Sequence, residues 1–355
     1  MRILHVVEPF SSGIITFIIH LTRELNGHEH IVVHGSRTTE DEINSVKRRF
    51  DPNVKFVLWR SAGRNINPFQ DFRALFELIK ILRRKNFDVV HLHSAKAGFL
   101  GRLACKMLKI KPVIYTPNGA PFLRLDISVF KRKIFVGLEK LGNVLGGQVI
   151  CCSKSESLEY LRIGIDCTYI NNGTIIDKKE KIVHSKIVVG SVGIATFQKN
   201  PIQFNEIARA FEDNNNVEFI WVGGGHLVGQ LNSSNVRVTG WLDTSQTEEW
   251  LKKIDIYLSC SLWEGLPFAV LEAMNTQCCL LLSNCVGNRD LVRQGDNGYL
   301  FDNSNEGVSR LTELVKDREQ LENFGINSFN YCKEWFDIKN TAKQYESIYT
   351  QVSKN

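Results

Sequence analysis

The sequence predicts an α/β protein built as two doubly wound domains. Short runs rich in Val, Ile and Leu alternate with helical stretches from end to end, and strands this continuously apolar belong to parallel sheets covered on both faces. The alternation restarts after a polar stretch, "NNGTIIDKKEKIVHSK" at 171–186, whose Asn-Asn-Gly breaker marks a linker. At 355 residues the chain exceeds one ordinary domain, and its 43% hydrophobic content supplies two cores.

The elements follow in order. "RILHVVE" is the first strand: its apolar run is too short and too broken by His5 and Glu8 for a signal peptide. "HIVVHG", "VKFVLW", "DVVHLHS", "PVIYTPNG" and "QVICCS" complete the first sheet. "IVVGSVG", "VEFIWVGG", "VRVTGW", "IDIYLSCS" and "CCLLLSN" form the second. From about Tyr331 the chain reads as one helix, with Trp335, Phe336, Ile338, Ala342, Tyr345, Ile348, Tyr349 and Val352 at helical spacing. The expected layout is 1–170, 171–332, and a tail at 333–355 that crosses back to the first domain. Ligands of such sheets bind beyond the C-terminal ends of strands, so a central cleft between the two domains is the expected active site.

No run approaches 18 apolar residues, so no membrane-spanning helix is expected. The nine cysteines show no metal or redox spacing and read as buried, reduced thiols of a cytosolic protein. Net charge is +6, divided unevenly: residues 1–168 carry 26 Lys+Arg against 15 Asp+Glu, a balance of +11, and the remainder carries −5. The basic half has clusters at Lys47-Arg48-Arg49, Arg83-Arg84-Lys85 and Lys131-Arg132-Lys133. These are either solvated helix faces or a surface facing an anionic lipid leaflet or phosphorylated acceptor. No recognition motif for nucleic acid accompanies them.

The stretch "SLWEGLPFAVLEAM" places Glu264 and Glu272 with seven residues between them in an otherwise mostly apolar segment. "IDIYLSCS" is a strand, so Glu264 lies on the loop leaving its C-terminal end. Pro267 suits a helix start and "FAVLEAM" continues that helix, which carries Glu272. The amides of Gly265, Leu266, Phe268 and Ala269 lie near a helix N-terminus, where anions bind. A loop carboxylate, an amide cradle and a helix carboxylate can grip a sugar, a diphosphate and a ribose. "GGGHLVG" is no dinucleotide fingerprint, since Val228 stands where its last glycine is required.

With these residues the chain resembles the retaining glycosyltransferases of family four, which have the GT-B fold of two Rossmann-like domains. "VGSVGIATFQKNP", "WVGGGHL", "VTGWLDTSQTEEWLKKIDIYLSCS" and "SNCVGNRDLVRQGDNGYLF" resemble segments of the nucleotide-sugar domain. "SSGIITFIIHLTREL", "DVVHLHSAKAGFLGRLA" and "VIYTPNGAPFLR" resemble segments of the acceptor domain. The closest kind is the bacterial enzymes building O-antigen or capsule on a lipid carrier.

The resemblance implies roles. Glu264 contacts the donor sugar, Glu272 the ribose, and Lys199 the diphosphate. Gly13 and Gly193 lie on phosphate-facing turns, and Trp241 and Leu242 hold the base. Where the family has arginine after Gly193 this chain has Ile194, which leaves Arg289 or Arg293 as substitutes. Asn118 replaces a histidine, and Asp290 a glutamate. His91 and His93 alternate on a strand end, so only one of them is expected to face the cleft. His93, with Lys96, is either near the acceptor or ordinary strand-end packing.

The implied reaction is metal-independent retaining transfer from a nucleotide sugar, a UDP-hexose or UDP-N-acetylhexosamine, to a phosphate-linked lipid or glycan acceptor. It uses no cofactor. The departing phosphate takes the acceptor proton, so Asn118 need not titrate. A UDP-sugar epimerase of the same fold, and a degenerate relative that binds without turnover, stand as alternatives. The implied location is the inner face of the cytoplasmic membrane, with Lys131, Arg132 and Lys133 beside Phe130, Ile134 and Phe135 as the contact. "FKRKIFVGLEKLGNVLG" reads first as a packed helix with solvated lysines, and alternatively as an interfacial helix lying on an anionic membrane.

Overall fold

A computed structural model describes residues 1–35, 40–63, 67–84 and 86–354, with only the backbone described for Ser12, Glu40 and Asp41. Lys85 lies outside the described residues. The chain divides into two units, Met1–Gly173 with Ile338–Asn355, and Thr174–Asp337.

The first unit runs β1 (Arg2–Val7), α1 (Ser12–Glu24), β2 (Glu29–Gly35), α2 (Glu40–Lys47), β3 (Lys55–Trp59), α3 (Pro68–Arg84), β4 (Val89–His93), α4 (Ala95–Leu108), β5 (Val113–Thr116), α5 (Val129–Leu145), β6 (Gln148–Cys151), α6 (Lys154–Arg162) and β7 (Thr168–Tyr169). Its strands pair in parallel in the order β3-β2-β1-β4-β5-β6-β7. Strand side chains alternate between faces. Leu4, Val6, Val90 and Leu92 therefore pack with Ala74, Leu78, Leu82, Leu100 and Ala104 under α3 and α4, and Phe135 and Val136 of α5 join that cluster.

The second unit runs β8 (Ile187–Val192), α7 (Pro201–Arg209), β9 (Val217–Val222), β10 (Val236–Val238), α8 (Thr244–Leu251), β11 (Ile256–Ser259), α9 (Phe268–Asn275), β12 (Cys279–Ser283), β13 (Gly298–Phe301), α10 (Ser304–Leu314) and α11 (Arg318–Trp335). Its parallel order is β10-β9-β8-β11-β12-β13. Its core joins Val189, Phe219, Leu258 and Leu281 to Phe204, Leu311 and Phe324. Local sequence sets the helix starts. Asn200 caps α7 with Pro201 in its first turn, and Asp243 and Gln246 form a reciprocal capping box on α8.

The tail departs from the expected single helix. Helix α11 ends at Trp335, and α12 (Ile338–Ser353) starts afresh and belongs to the first unit. The break falls at Phe336, which is buried and whose carbonyl accepts from the Thr174 amide at 2.8 Å. The breaker Gly173 has a close-packing reason: a Cβ there would lie 2.5 Å from Thr341 Oγ1 and 2.6 Å from Ile338 Cα.

Candidate active site

In the second unit the strand order reverses between β8 and β11, and open α/β sheets bind ligands beyond strand ends at such a point. Gly193 and Lys199 follow β8, and Glu264 follows β11. The fold thus joins residues 65 apart: Lys199 Nζ lies 2.7 Å from Glu264 Oε1. Gln198, which sequence reasoning missed, donates to the Trp263 carbonyl at 2.9 Å and to Glu264 Oε2 at 3.3 Å. Burial, the largest influence on Lys199, pulls its pKa down. The Glu264 carboxylate and Tyr257 outweigh it and hold the ammonium above its ordinary value. Tyr257 is itself pushed up to about 12, chiefly by burial, and its hydroxyl donates to the Val192 carbonyl at 3.2 Å.

Two glycines let backbone crowd this pair. At Gly223 (φ 136°) a Cβ would come 2.3 Å from the Gly193 carbonyl oxygen. At Gly287 (φ 85°) it would come 2.6 Å from the Gly265 carbonyl oxygen and 2.9 Å from Glu264 Cβ. Gly193 itself has φ 150°, and its amide donates to the Val222 carbonyl at 2.9 Å. Helix α9 has Pro267 at its N-cap and no side-chain cap. Glu272 is its fifth residue and half-buried. Leu266 and Phe268 are buried, so those two positions can serve a ligand only through backbone, while Gly265 and Ala269 are half-buried.

Trp241 is 69% exposed and lies against Gly224, while Leu242 and Asp290 are half-buried. Ile194 is exposed. Neither proposed substitute for an arginine there is held toward Lys199 by its contacts. Arg289 donates to the Asn284 side chain and carbonyl, and Arg293 stacks on Tyr331 at 4.1 Å.

The first unit corrects one expectation. His91 and His93 do not alternate: two residues apart on a strand, they share a face. Their ring centroids are 4.0 Å apart and both are fully buried, which removes His93 from direct contact with an acceptor. Lys96 sits in the first turn of α4 and pairs with Asp71 at 2.6 Å. Asn118 holds the left-handed φ of 55°, and its Nδ2 donates to the Thr116 carbonyl at 3.1 Å. Gly13 lies in the first turn of α1.

Of the expected apolar-basic contact on α5, Phe130 and Ile134 are exposed, but Phe135 packs on the core and Arg132 is half-buried. Sequence reasoning missed α3. Phe69 (87% exposed), Phe72 and Phe76 share its solvent face with Arg73, Lys80, Arg83 and Arg84. Their spacing, out of phase with the buried Ala74, Leu78 and Leu82, was the available signal. No helix among the described residues is long and apolar enough to cross a membrane.

Comparison with known proteins agrees with this fold. The family described as Glycosyl transferases group 1 matches residues 173–331, and Glycosyltransferase Family 4 matches residues 11–178. An Escherichia coli UDP-Gal:alpha-D-GlcNAc-diphosphoundecaprenol alpha-1,3-galactosyltransferase is 28% identical over 336 residues, 86% of either chain. A Campylobacter jejuni N,N'-diacetylbacillosaminyl-diphospho-undecaprenol alpha-1,3-N-acetylgalactosaminyltransferase is 25% identical, covering 89% of this chain and 90% of that one. Among solved structures, a sucrose-phosphate synthase from Thermosynechococcus elongatus superposes with TM-score 0.82 at 15% identity, over 99% of this chain and 98% of that one. Anabaena HepE in complex with UDP-glucose gives 0.80 at 17% identity, over 99% and 100%. With both units matched and both sheets those of the GT-B fold, the chain belongs to the family-four glycosyltransferases.

Proposed function

We propose that this glycosyltransferase moves a sugar from a UDP-sugar, with retention of anomeric configuration and without a metal in the reaction, to a glycan carried on a lipid diphosphate. The observation that carries the reading is the Lys199–Glu264 pair at the switch point of the second sheet, with Glu272 on the adjoining helix. In this reading Lys199 exchanges its Glu264 partner for the diphosphate and stabilises the charge that develops on it as the glycosidic bond breaks. Glu264 is then released to accept from sugar hydroxyls. Glu272 accepts from the ribose, Trp241 and Leu242 flank the base, and Asp290 lies on the closing segment. The amides at the start of α9 add a fixed dipole for anionic oxygen.

The acceptor reading rests on the relatives, two of which are named for diphosphoundecaprenol-linked substrates. Asn118, Lys96 and Gly13 are its first-unit residues; Asn118 hydrogen-bonds and does not titrate, so the leaving phosphate takes the acceptor proton. A lipid-borne acceptor requires contact with a membrane surface. The exposed faces of α3 and α5 combine aromatic side chains with Arg73, Lys80, Lys131 and Lys133, the composition that lies in an anionic interface. The experiment is a thermal-shift screen of the purified protein against UDP, nucleotide sugars and other nucleotides. A ligand bound only by the folded chain raises Tm. UDP and one UDP-sugar are expected to do so. A response confined to other nucleotides, or none, contradicts the reading.

A further inference from the structure

The loop that leaves β5 holds a strained backbone. Asn118 (φ 55°) and Gly119 (φ 102°) follow one another at positive φ. Asparagine tolerates the left-handed region better than most residues, but such a conformation persists only where its surroundings hold it. Here the hold comes from a residue 37 positions further on. Glu156, in the first turn of α6, is fully buried, and its Oε1 accepts from the Gly119 amide at 2.7 Å. Its Oε2 accepts from the Cys152 amide at 2.8 Å, just beyond β6. One carboxylate thus ties together the loops that leave β5 and β6, two strands paired side by side.

Glu156 is itself fixed. Ser153, the N-cap of α6, accepts from the Glu156 amide at 3.2 Å. The helix N-terminus favours a negative charge at this position. Burial, the largest influence, raises the pKa of Glu156, and the amides of Cys152, Gly119 and Ala120 work against it. A buried, fully engaged polar group of this kind specifies one arrangement of its neighbours.

The arrangement it specifies is that of Asn118. The Thr116 carbonyl only accepts, so the side-chain atom 3.1 Å from it is the Asn118 amide nitrogen. The same carbonyl accepts from the Ser94 amide at 3.0 Å. With its nitrogen engaged, the half-buried Asn118 has its oxygen left to accept from a hydroxyl.

We propose that Glu156 is a positioning residue for sugar transfer, a role that rests on reading Asn118 as an acceptor-side residue. By gripping the Gly119 amide, Glu156 keeps Asn118 where its oxygen accepts from the attacking hydroxyl and aims it. Glu156 touches neither substrate and passes no proton. Donor binding, the task of the second unit, does not depend on it.

The test uses the purified full chain with a UDP-sugar and a sugar-diphospho-polyprenol acceptor. In Glu156→Gln an N–H group replaces one oxygen, so one of the two amides loses its acceptor. A misaimed acceptor is expected to lower its kcat/KM about 10- to 100-fold, while the UDP-sugar Kd from calorimetry stays within about twofold of wild type. Asn118→Ala should show a loss of the same kind. The double variant should lose no more than the larger single loss, because both changes act through one contact. Gly119→Ala strains the same loop without touching the carboxylate and should repeat the pattern. Circular dichroism reports folding, and if Glu156→Gln does not fold, Gly119→Ala decides alone. An acceptor kcat/KM within about twofold of wild type in the deciding variant, a loss shared equally by the donor, or losses that multiply in the double variant overturn the proposal while leaving Asn118 in its role. A wild type that transfers no sugar, or an Asn118→Ala variant as active as wild type, overturns the underlying reading and the proposal with it.

Discussion

Replacing Lys199 by Met removes the ammonium while keeping much of its apolar stem, and two consequences can be worked out. The first is on stability. Glu264 is 7% exposed and loses the partner 2.7 Å away, keeping the Gln198 contact at 3.3 Å. Stranding one member of a buried pair costs about 3–5 kcal/mol, and the 23% exposure of the Lys199 side chain puts the expected loss near the lower end, about 3 kcal/mol. Adding Glu264→Gln should recover most of it, because no charge is then stranded. The second consequence is on binding. A charge-assisted contact contributes about 1.5–3 kcal/mol, so UDP affinity should fall about 10- to 150-fold. Uridine, which has no diphosphate, should bind as before. Urea unfolding reads the first effect and calorimetry with both ligands the second. Equal losses for UDP and uridine, or a single variant as stable as the double, would refute the assignment of Lys199.

Gly287→Ala puts a Cβ at φ 85° against Gly265 and Glu264 and should cost about 1–3 kcal/mol while weakening UDP-sugar binding, as thermal unfolding with and without ligand would show. Burial, partly opposed by a Gly173 backbone hydrogen bond, lowers His20 to about 4 from an ordinary 6.5. Its folded pKa is depressed, so its contribution is complete above about pH 6.5 and is lost as pH falls toward 4. Between pH 7.5 and 5 the wild type should lose about 2 kcal/mol more than His20→Gln, in urea unfolding at the two pH values; identical losses would count against it. Changing Phe69, Phe72 and Phe76 together to Ser should reduce sedimentation with anionic liposomes at low salt without lowering Tm, since all three are exposed. Binding that ignores both salt and this change would mean the face is merely solvated.

The two sheets were legible because their strands are continuous apolar runs separated by polar helices. Two strands were not read as such: Thr168–Tyr169 is two residues long, and Gly298–Phe301 opens on glycine directly after the polar run "RQGDN" and reads with that loop. The tail misled because Trp335, Phe336 and Ile338 keep a helical rhythm across the break. Glu264 and Glu272 were readable as a spaced pair beside a helix start. That Glu264 would meet Lys199 was not, because the contact exists only where β8 and β11 lie side by side, a pairing set by sheet order. His93 was misplaced by an error of period. Read at two residues per repeat, "VHLH" puts both histidines on one face, and His5 on the neighbouring strand completes a buried group that no local pattern announces.

The most direct measurement follows the sugar itself. The purified chain is incubated with a UDP-α-sugar and a sugar-diphospho-polyprenol acceptor, and the anomeric configuration of the new linkage is read by NMR, with and without chelator in the assay. The account predicts a glycolipid product with an α linkage, formed at the same rate in either case. A β linkage would contradict retention. Transfer that collapses in chelator and returns with Mn²⁺ would contradict the metal-free reaction, and release of free sugar with no glycolipid would contradict the acceptor.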